Sequence, residues 1–171
     1  LTYSYYVVSM LMLAYTLSFM DRVLISLLIE PIRAEFDLSD TQIGALIGFG
    51  FVLFYSMLGI PFGSLADRTN RRNLIVVGIL GWSLATAGSG IVQGFGGLLL
   101  MRVLVGVGEA TLSPCALSTV GDRFPRDRLA FAVALYSSGV VIGGGLAMVL
   151  GGGLAEWAMA TRLDMPLFDQ C

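Results

Sequence analysis

Histidine and lysine are both absent from this 171-residue chain, so all ten basic residues are arginine. The absence of histidine removes the commonest general base and the commonest metal ligand among side chains. Cysteine occurs twice, at Cys115 and Cys171, which is too few for a disulfide framework or for the usual zinc-ligand sets. Ser113 and Ser118 have no histidine to activate them, and no Gly-x-Ser-x-Gly elbow occurs. Charged residues make up 13% of the chain, about half the share expected of a soluble domain. A net charge of −2 offers no basic patch for nucleic acid. No enzymatic activity, metal, cofactor or nucleic-acid partner is expected.

Apolar residues are abundant instead, at 56% of the chain and a mean hydropathy of +0.83. A hydrocarbon core about 30 Å thick takes about 20 apolar residues in a helix. Five stretches meet that length: 5–29, 42–65, 74–93, 97–120 and 129–155. The short alternating segments of a β-barrel do not occur. The expected class is an all-α integral membrane protein with five transmembrane helices and the bilayer as its first partner. The first stretch is too long and too polar at its centre for a cleaved leader, so it is expected to be a retained helix.

The connections carry an alternating charge. Residues 67–72 hold Arg68, Arg71 and Arg72, and residues 122–128 hold Arg123, Arg126 and Arg128. The first connection, 30–40, has four acids and one arginine; the tail from Glu156 has three acids and one arginine. The positive-inside rule then puts the second and fourth connections and the N-terminus in the cytoplasm. Residues 156–171 are expected to form an extracytoplasmic loop, with residue 171 outside a bacterial inner (plasma) membrane. Small residues recur at i, i+4 in the fifth stretch (Gly139, Gly143, Ala147, Gly151, Ala155) and in the second (Gly44–Gly48, Gly59–Gly63), which predicts close helix crossings. Pro61 and Pro114 predict kinks, because each removes a backbone hydrogen bond. Cys115 is expected to pack as a small apolar side chain.

Four ionisable residues interrupt the apolar stretches: Asp21, Arg22, Arg102 and Glu109. Each costs on the order of 3 kcal/mol at a helix centre, so such residues are expected to face a bundle interior or an aqueous cavity. On the first helix Tyr15, Ser18, Asp21, Arg22 and Ser26 share one face; on the fourth, Arg102, Gly106, Glu109 and Ser113 do. Turning the two faces together is the cheapest arrangement. Helical rise places Asp21 between Arg102 and Glu109 in depth, which predicts an Asp21–Arg102 pair with Glu109 deeper on the same wall. A static helix-to-helix ion pair, with Arg22 neutralising Asp21 and Arg102 reaching the surface, is the simpler alternative. An acid at this depth, favoured neutral by burial and charged by a nearby arginine, suits proton coupling.

Gly63-Ser-Leu-Ala-Asp67-Arg68-Thr-Asn70-Arg71-Arg72 resembles the signature Gly-x-x-x-Asp-Arg-x-Gly-Arg-Arg that follows the second helix of major facilitator superfamily transporters. Asn70 replaces the usual glycine and is expected to supply the positive φ of that turn. Arg102-Val-Leu-Val-Gly106-Val-Gly108-Glu109-Ala110 resembles the superfamily's fourth-helix motif, and Phe124-Pro125-Arg126-Asp127-Arg128 its loop before the fifth helix. The fifth stretch lacks the Gly-Pro pair of drug antiporters. Ser18-Phe19-Met20-Asp21-Arg22, Leu38-Ser39-Asp40-Thr41-Gln42 and Gly106–Ala110 together are similar to the spinster-type branch. The Asp-Arg and Gly-Glu-Ala elements also resemble organic anion:cation symporters.

The resemblance implies the N-terminal half of a twelve-helix fold, five of its six helices being present, with a missing C-terminal half as partner. It implies secondary transport of a small organic or amphipathic solute such as a lysolipid, with a proton as coupling ion. Carboxylates or sugar acids are the alternative cargo. Proton coupling would fall on Asp21 and Arg102, with Glu109, Arg22 and Ser18 lining the cavity. Gly63, Asp67, Arg68, Arg71 and Arg72 would form a cytoplasmic gate, Asp67 and Arg68 latching the halves together. A non-transporting scaffold or receptor on the same fold is disfavoured by the costly mid-membrane charge.

Overall fold

A small-residue ridge lets the first and last helices cross in close contact. The computed structural model describes residues 2–163, with side chains described to Gly153, and no strand occurs among them. Helix α1 spans Thr2–Leu27, and the last helix, α8, spans Arg126–Leu163. They pack along most of α1's length. A Cβ on Gly139 would sit 2.8 Å from the Met12 carbonyl oxygen, and one on Gly143 would sit 2.5 Å from the Thr16 carbonyl oxygen. Ala147 is fully buried in the same ridge. Bare backbone at these steps lets the two helices touch where no hydrophobic drive exists between helices in lipid. Gly143→Ala is therefore expected to lower the yield of monodisperse protein in detergent, because backbone cannot yield as a side chain can; such overpacking costs roughly 1–3 kcal/mol. Gly145→Ala, where nothing lies within 4 Å, is expected to elute like the parent chain on size exclusion.

The second expected ridge behaves differently. Gly44, Gly48 and Gly59 meet nothing within 4 Å, and Gly63 only the Pro114 Cβ at 3.9 Å. Small residues permit close approach without requiring it, and here only Gly63 meets a neighbouring helix.

Between these helices the chain forms a short α2 (Ile29–Phe36), then α3 (Asp40–Gly44), a π-helical stretch Ala45–Leu53, and α4 (Phe54–Arg68). Ser39 starts α3 with a capping box: its hydroxyl accepts from the Gln42 N–H, and the Gln42 side chain accepts from the Ser39 N–H. Asp37 ends α2 in the left-handed region, at φ 47°. Helix α5 spans Arg71–Ser89 and begins at Asn70, whose side chain accepts from the Arg72 N–H. Asn70 has φ −72°, so the expectation of positive φ there is corrected. Asparagine serves this turn as an N-cap, satisfying a first-turn donor with its side-chain oxygen.

The fourth expected span is two helices, α6 (Phe95–Glu109) and α7 (Leu112–Arg123), which together form one rod broken at Ala110–Thr111. Pro114 sits in the first turn of α7, where its missing N–H is harmless but denies Ala110 its usual i+4 donor. Pro61 stays inside α4 without ending it.

Among the described residues, four segments are long and apolar enough to cross a membrane: Thr2–Leu27, Asp40–Arg68, Phe95–Arg123 and Arg126–Gly153. The expected count of five spans is corrected to that extent. Helix α5, the third expected span, has 19 residues and opens on Arg71, Arg72 and Asn73. Those polar residues dilute its apolar stretch. Helix α8 continues through residues 156–163, where a loop was expected; the rest of that expected loop, 164–171, lies outside the described residues.

Both arginine-bearing connections lie at one end of the bundle, beside the start of α1. Arg123 lies over the Tyr3 ring at 5.3 Å, Tyr5 meets Phe124 edge-on at 5.3 Å, and Arg71 bridges to Asp122. Outward positions are apolar: Ile60, Val77, Leu84, Val141 and Val149 are each at least 66% exposed. A soluble fold would bury such residues; a bundle in lipid has no reason to.

Candidate functional site

Inside this apolar shell, polar side chains from α1 meet others from α6 and α5. The side chain of Glu109, on α6, is 0% exposed. Its Oε2 accepts from the Ser18 hydroxyl at 2.7 Å and from Arg22 Nε at 2.7 Å, with Arg22 Nη2 also 2.7 Å away. Ser18 and Arg22 are one turn apart on α1, so one helix face delivers both donors to one oxygen. The other oxygen of Glu109, Oε1, is buried without a hydrogen-bond partner.

Arg22 also has an aromatic setting. Its Cζ lies 4.8 Å from the Phe51 ring centroid and 4.5 Å from that of Tyr55. The two rings are themselves stacked, 5.5 Å apart and 17° from parallel. Towards the arginine-bearing end, Tyr15 stacks on Tyr136 at 4.7 Å, and the Tyr136 and Tyr55 hydroxyls reach the Ser113 hydroxyl at 3.5 and 3.4 Å.

Asp21 turns to a different helix. Its Oδ2 accepts from the Thr86 hydroxyl of α5 at 2.6 Å. Arg102 is buried, 7% exposed, and its Nε has no hydrogen-bond partner. The charges of Asp21 and Glu109 both act on it, but it forms no ion pair with either. The expected Asp21–Arg102 pair is thus corrected. Glu109 pairs with Arg22, and Asp21 takes a hydroxyl. Adjacent residues on a helix point about 100° apart, so Asp21 and Arg22 cannot serve one partner face. Arg22 also does not neutralise Asp21; the helix-to-helix ion pair that forms is Arg22–Glu109.

Thr86, Phe51 and Tyr55 were not legible as site residues. A threonine in an apolar helix satisfies its own hydroxyl through the preceding turn, as Thr16 does with the Met12 carbonyl and Thr119 with that of Cys115. Thr86 looks the same in sequence and differs only in space. Phe51 and Tyr55 lie in an apolar stretch where no periodic signal separates them from lipid-facing or core aromatics.

At the arginine-bearing end, the segment 63–72 splits into inward and outward groups. Arg71 donates Nε to the Ala66 carbonyl at 3.3 Å and Nη1 to the Ser118 carbonyl at 3.5 Å, and bridges to Asp122. It also approaches Asp67 at 4.0 Å. Arg71 therefore ties the start of α5 to α7. Asp67, Arg68 and Arg72 are exposed. A cleft of about 790 Å³ opens beside them, between the first three turns of α1 and the end of α7.

The sequence pattern of the Major Facilitator Superfamily matches residues 11–162. An MFS-type efflux pump of Mycolicibacterium smegmatis is 37% identical over 156 residues, covering 91% of this chain and 36% of that protein. Protein spinster homolog 1 of Homo sapiens is 35% identical over 153 residues, covering 86% and 29%. A probable L-galactonate transporter of Escherichia coli is 37% identical over 115 residues, covering 67% and 25%. A bacterial homolog of the human lysosomal transporter Spinster, crystallised inward-facing and unoccupied, superposes with a TM-score of 0.85 at 39% identity, covering 99% of this chain and 37% of that one. The chain spans about a third of the length of the relatives it matches.

Proposed function

The chain belongs to the Major Facilitator Superfamily and to its spinster-like branch, and from that premise we propose that it supplies part of the cavity of a proton-coupled secondary transporter. The cargo is a small organic or amphipathic solute of the lysolipid kind, moved by alternating access together with a second half of the fold.

One observation carries this reading. Arg102 Nε and Glu109 Oε1 are buried polar atoms with no partner, set beside an ion pair in an apolar bundle. Each unsatisfied group costs about 1–3 kcal/mol, more when charged. A scaffold gains nothing from that cost, whereas a cavity that takes up a polar solute or a proton does. Asp21 is the acid proposed to carry the proton, because it has no arginine partner.

Arg102 also supports the sugar-acid alternative. A guanidinium with a free donor is suited to a carboxylate, and one relative is a probable L-galactonate transporter. Proteoliposomes of the complete transporter, given an inward proton gradient, discriminate between the two. Accumulation of a labelled lysolipid, competed by unlabelled lysolipid and not by galactonate, is the expected result; the reverse pattern assigns the sugar acid, and no gradient-dependent accumulation of either removes the coupled reading.

The orientation is proposed with the arginine-bearing end in the cytoplasm of a bacterial inner membrane. The gathering of Arg71, Arg72 and Arg123 around one cleft with Tyr3 and Tyr6 of α1 supports it. Of the proposed gate residues, Asp67 and Arg68 are free to reach a second half, and Gly63 lies close to Pro114. Arg71 acts within this half.

A further inference from the structure

Helices α1 and α5 both begin at the arginine-bearing end of the bundle, and the cleft of about 790 Å³ there is lined by both of them. Its lining changes character along the helix axes. At the bundle's end stand Tyr3 of α1, Arg72 of α5 and Arg123 of α7. Val7 and Met10 lie one and two turns further along α1, and Val76 lies one turn further along α5. Polar chemistry therefore occupies the end of the bundle, and apolar side chains line the part that runs into the membrane.

The charges of this cleft are unevenly used. Arg71 engages both of its acids, bridging to Asp122 and approaching Asp67 at 4.0 Å. Arg72 and Arg123 form no ion pair among the described residues. Arg123 lies instead over the Tyr3 ring at 5.3 Å, and Tyr3 stacks on Tyr6 at 6.4 Å, both rings being exposed. Tyrosine collects at the headgroup level of a bilayer, and basic pockets between membrane helices take anionic headgroups there. A polar solute would complement the two cations and leave the apolar floor bare. A further protein helix would cover the floor without complementing the cations. A phospholipid meets both.

We propose that this cleft binds an anionic membrane phospholipid, with its phosphate at Arg72 and Arg123 and one acyl chain along Val7, Met10 and Val76. The site shares no residue with the Arg22–Glu109 cluster. It depends only on the bundle sitting in a bilayer, and neither the cargo nor the coupling ion enters it.

Native mass spectrometry of the complete transporter, titrated with phosphatidylglycerol or with phosphatidylcholine of the same chains, reads this binding directly. An arginine beside an anionic lipid is worth about a fivefold gain in affinity. The parent is therefore expected to bind phosphatidylglycerol roughly twentyfold more tightly than phosphatidylcholine, and Arg72→Gln/Arg123→Gln to lose most of that preference. Val76→Trp fills the apolar floor, keeps both cations, and is expected to weaken both lipids alike; it decides the matter if the arginine variant does not fold. An unchanged preference in the arginine variant overturns the proposal, as does a Val76→Trp variant that binds both lipids like the parent. Glycerol 1-phosphate, the bare headgroup, is expected not to compete, and full competition by it assigns a free phosphate in place of a lipid. Equal binding of the two lipids by the parent, the result if another segment of the longer protein fills the cleft, overturns it as well.

Discussion

Asp21→Asn is expected to abolish pH-driven uptake by the complete transporter while leaving solute exchange at equal pH in place. Asparagine has the size of aspartate, and its side-chain oxygen still accepts the Thr86 hydroxyl that now lies 2.6 Å from Oδ2. The α1–α5 contact therefore survives, and loss of fold is not the expected cause of loss of function. What disappears is a group able to carry a proton and the negative charge that acts on Arg102. A cycle that needs the proton to change state then stalls, whereas exchange needs only the solute to be bound and released. Uptake falling to background with exchange retained supports the role; full gradient-driven uptake by the variant removes Asp21 from the coupling step. Thr86→Val, which takes away the donor but leaves the acid, separates the hydrogen bond from the titratable group.

The second large effect concerns the ion pair. Arg22→Ala strands a carboxylate whose side chain is 0% exposed, and Ser18 alone would then serve it. Removing one partner of a buried pair costs about 3–5 kcal/mol, because the remaining charge is left without compensation. The variant is expected to show a sharply lowered thermal midpoint in detergent. The double variant Arg22→Met/Glu109→Leu removes both charges and is expected to recover most of that loss, since replacing a buried pair with apolar residues of similar volume is often neutral or better. Yet the double variant is expected to move no solute. Recovery of stability without recovery of uptake separates a transport role from a merely structural one. A double variant that is as unstable as the single one would show that the pair holds the bundle together.

The two results also bear on why the site was only partly legible beforehand. Asp21, Arg22, Arg102 and Glu109 stand out in sequence because charge in an apolar helix is expensive and needs a reason. Their partners do not stand out. Depth along the helices, estimated from rise per residue, put Asp21 between Arg102 and Glu109, and rotation about the helix axis decided what it meets. A single residue step turns a side chain by 100°, so Asp21 faces α5 and Arg22 faces α6 although they are neighbours in the chain. The break at Ala110–Thr111 and the π-helical stretch Ala45–Leu53 change rotation further along the second and fourth rods. Straight-helix geometry accounts for neither.

The small-residue ridges make the same point. Gly139, Gly143 and Ala147 lie at a real crossing with α1, whereas Gly44, Gly48 and Gly59 face open space. Both ridges have the same spacing. Spacing reports which face is able to receive a neighbour, and the position of the neighbour is a property of the whole bundle.

Membrane class, helical architecture, the clustering of arginine in alternate connections and the presence of costly interior charge were all inscribed in residue order, because each follows from apolar length, local periodicity and solvation cost. Which charge meets which, and which aromatic rings hold Arg22, came from the packing of distant segments, because those contacts join residues up to 91 positions apart through rotations that no local pattern encodes.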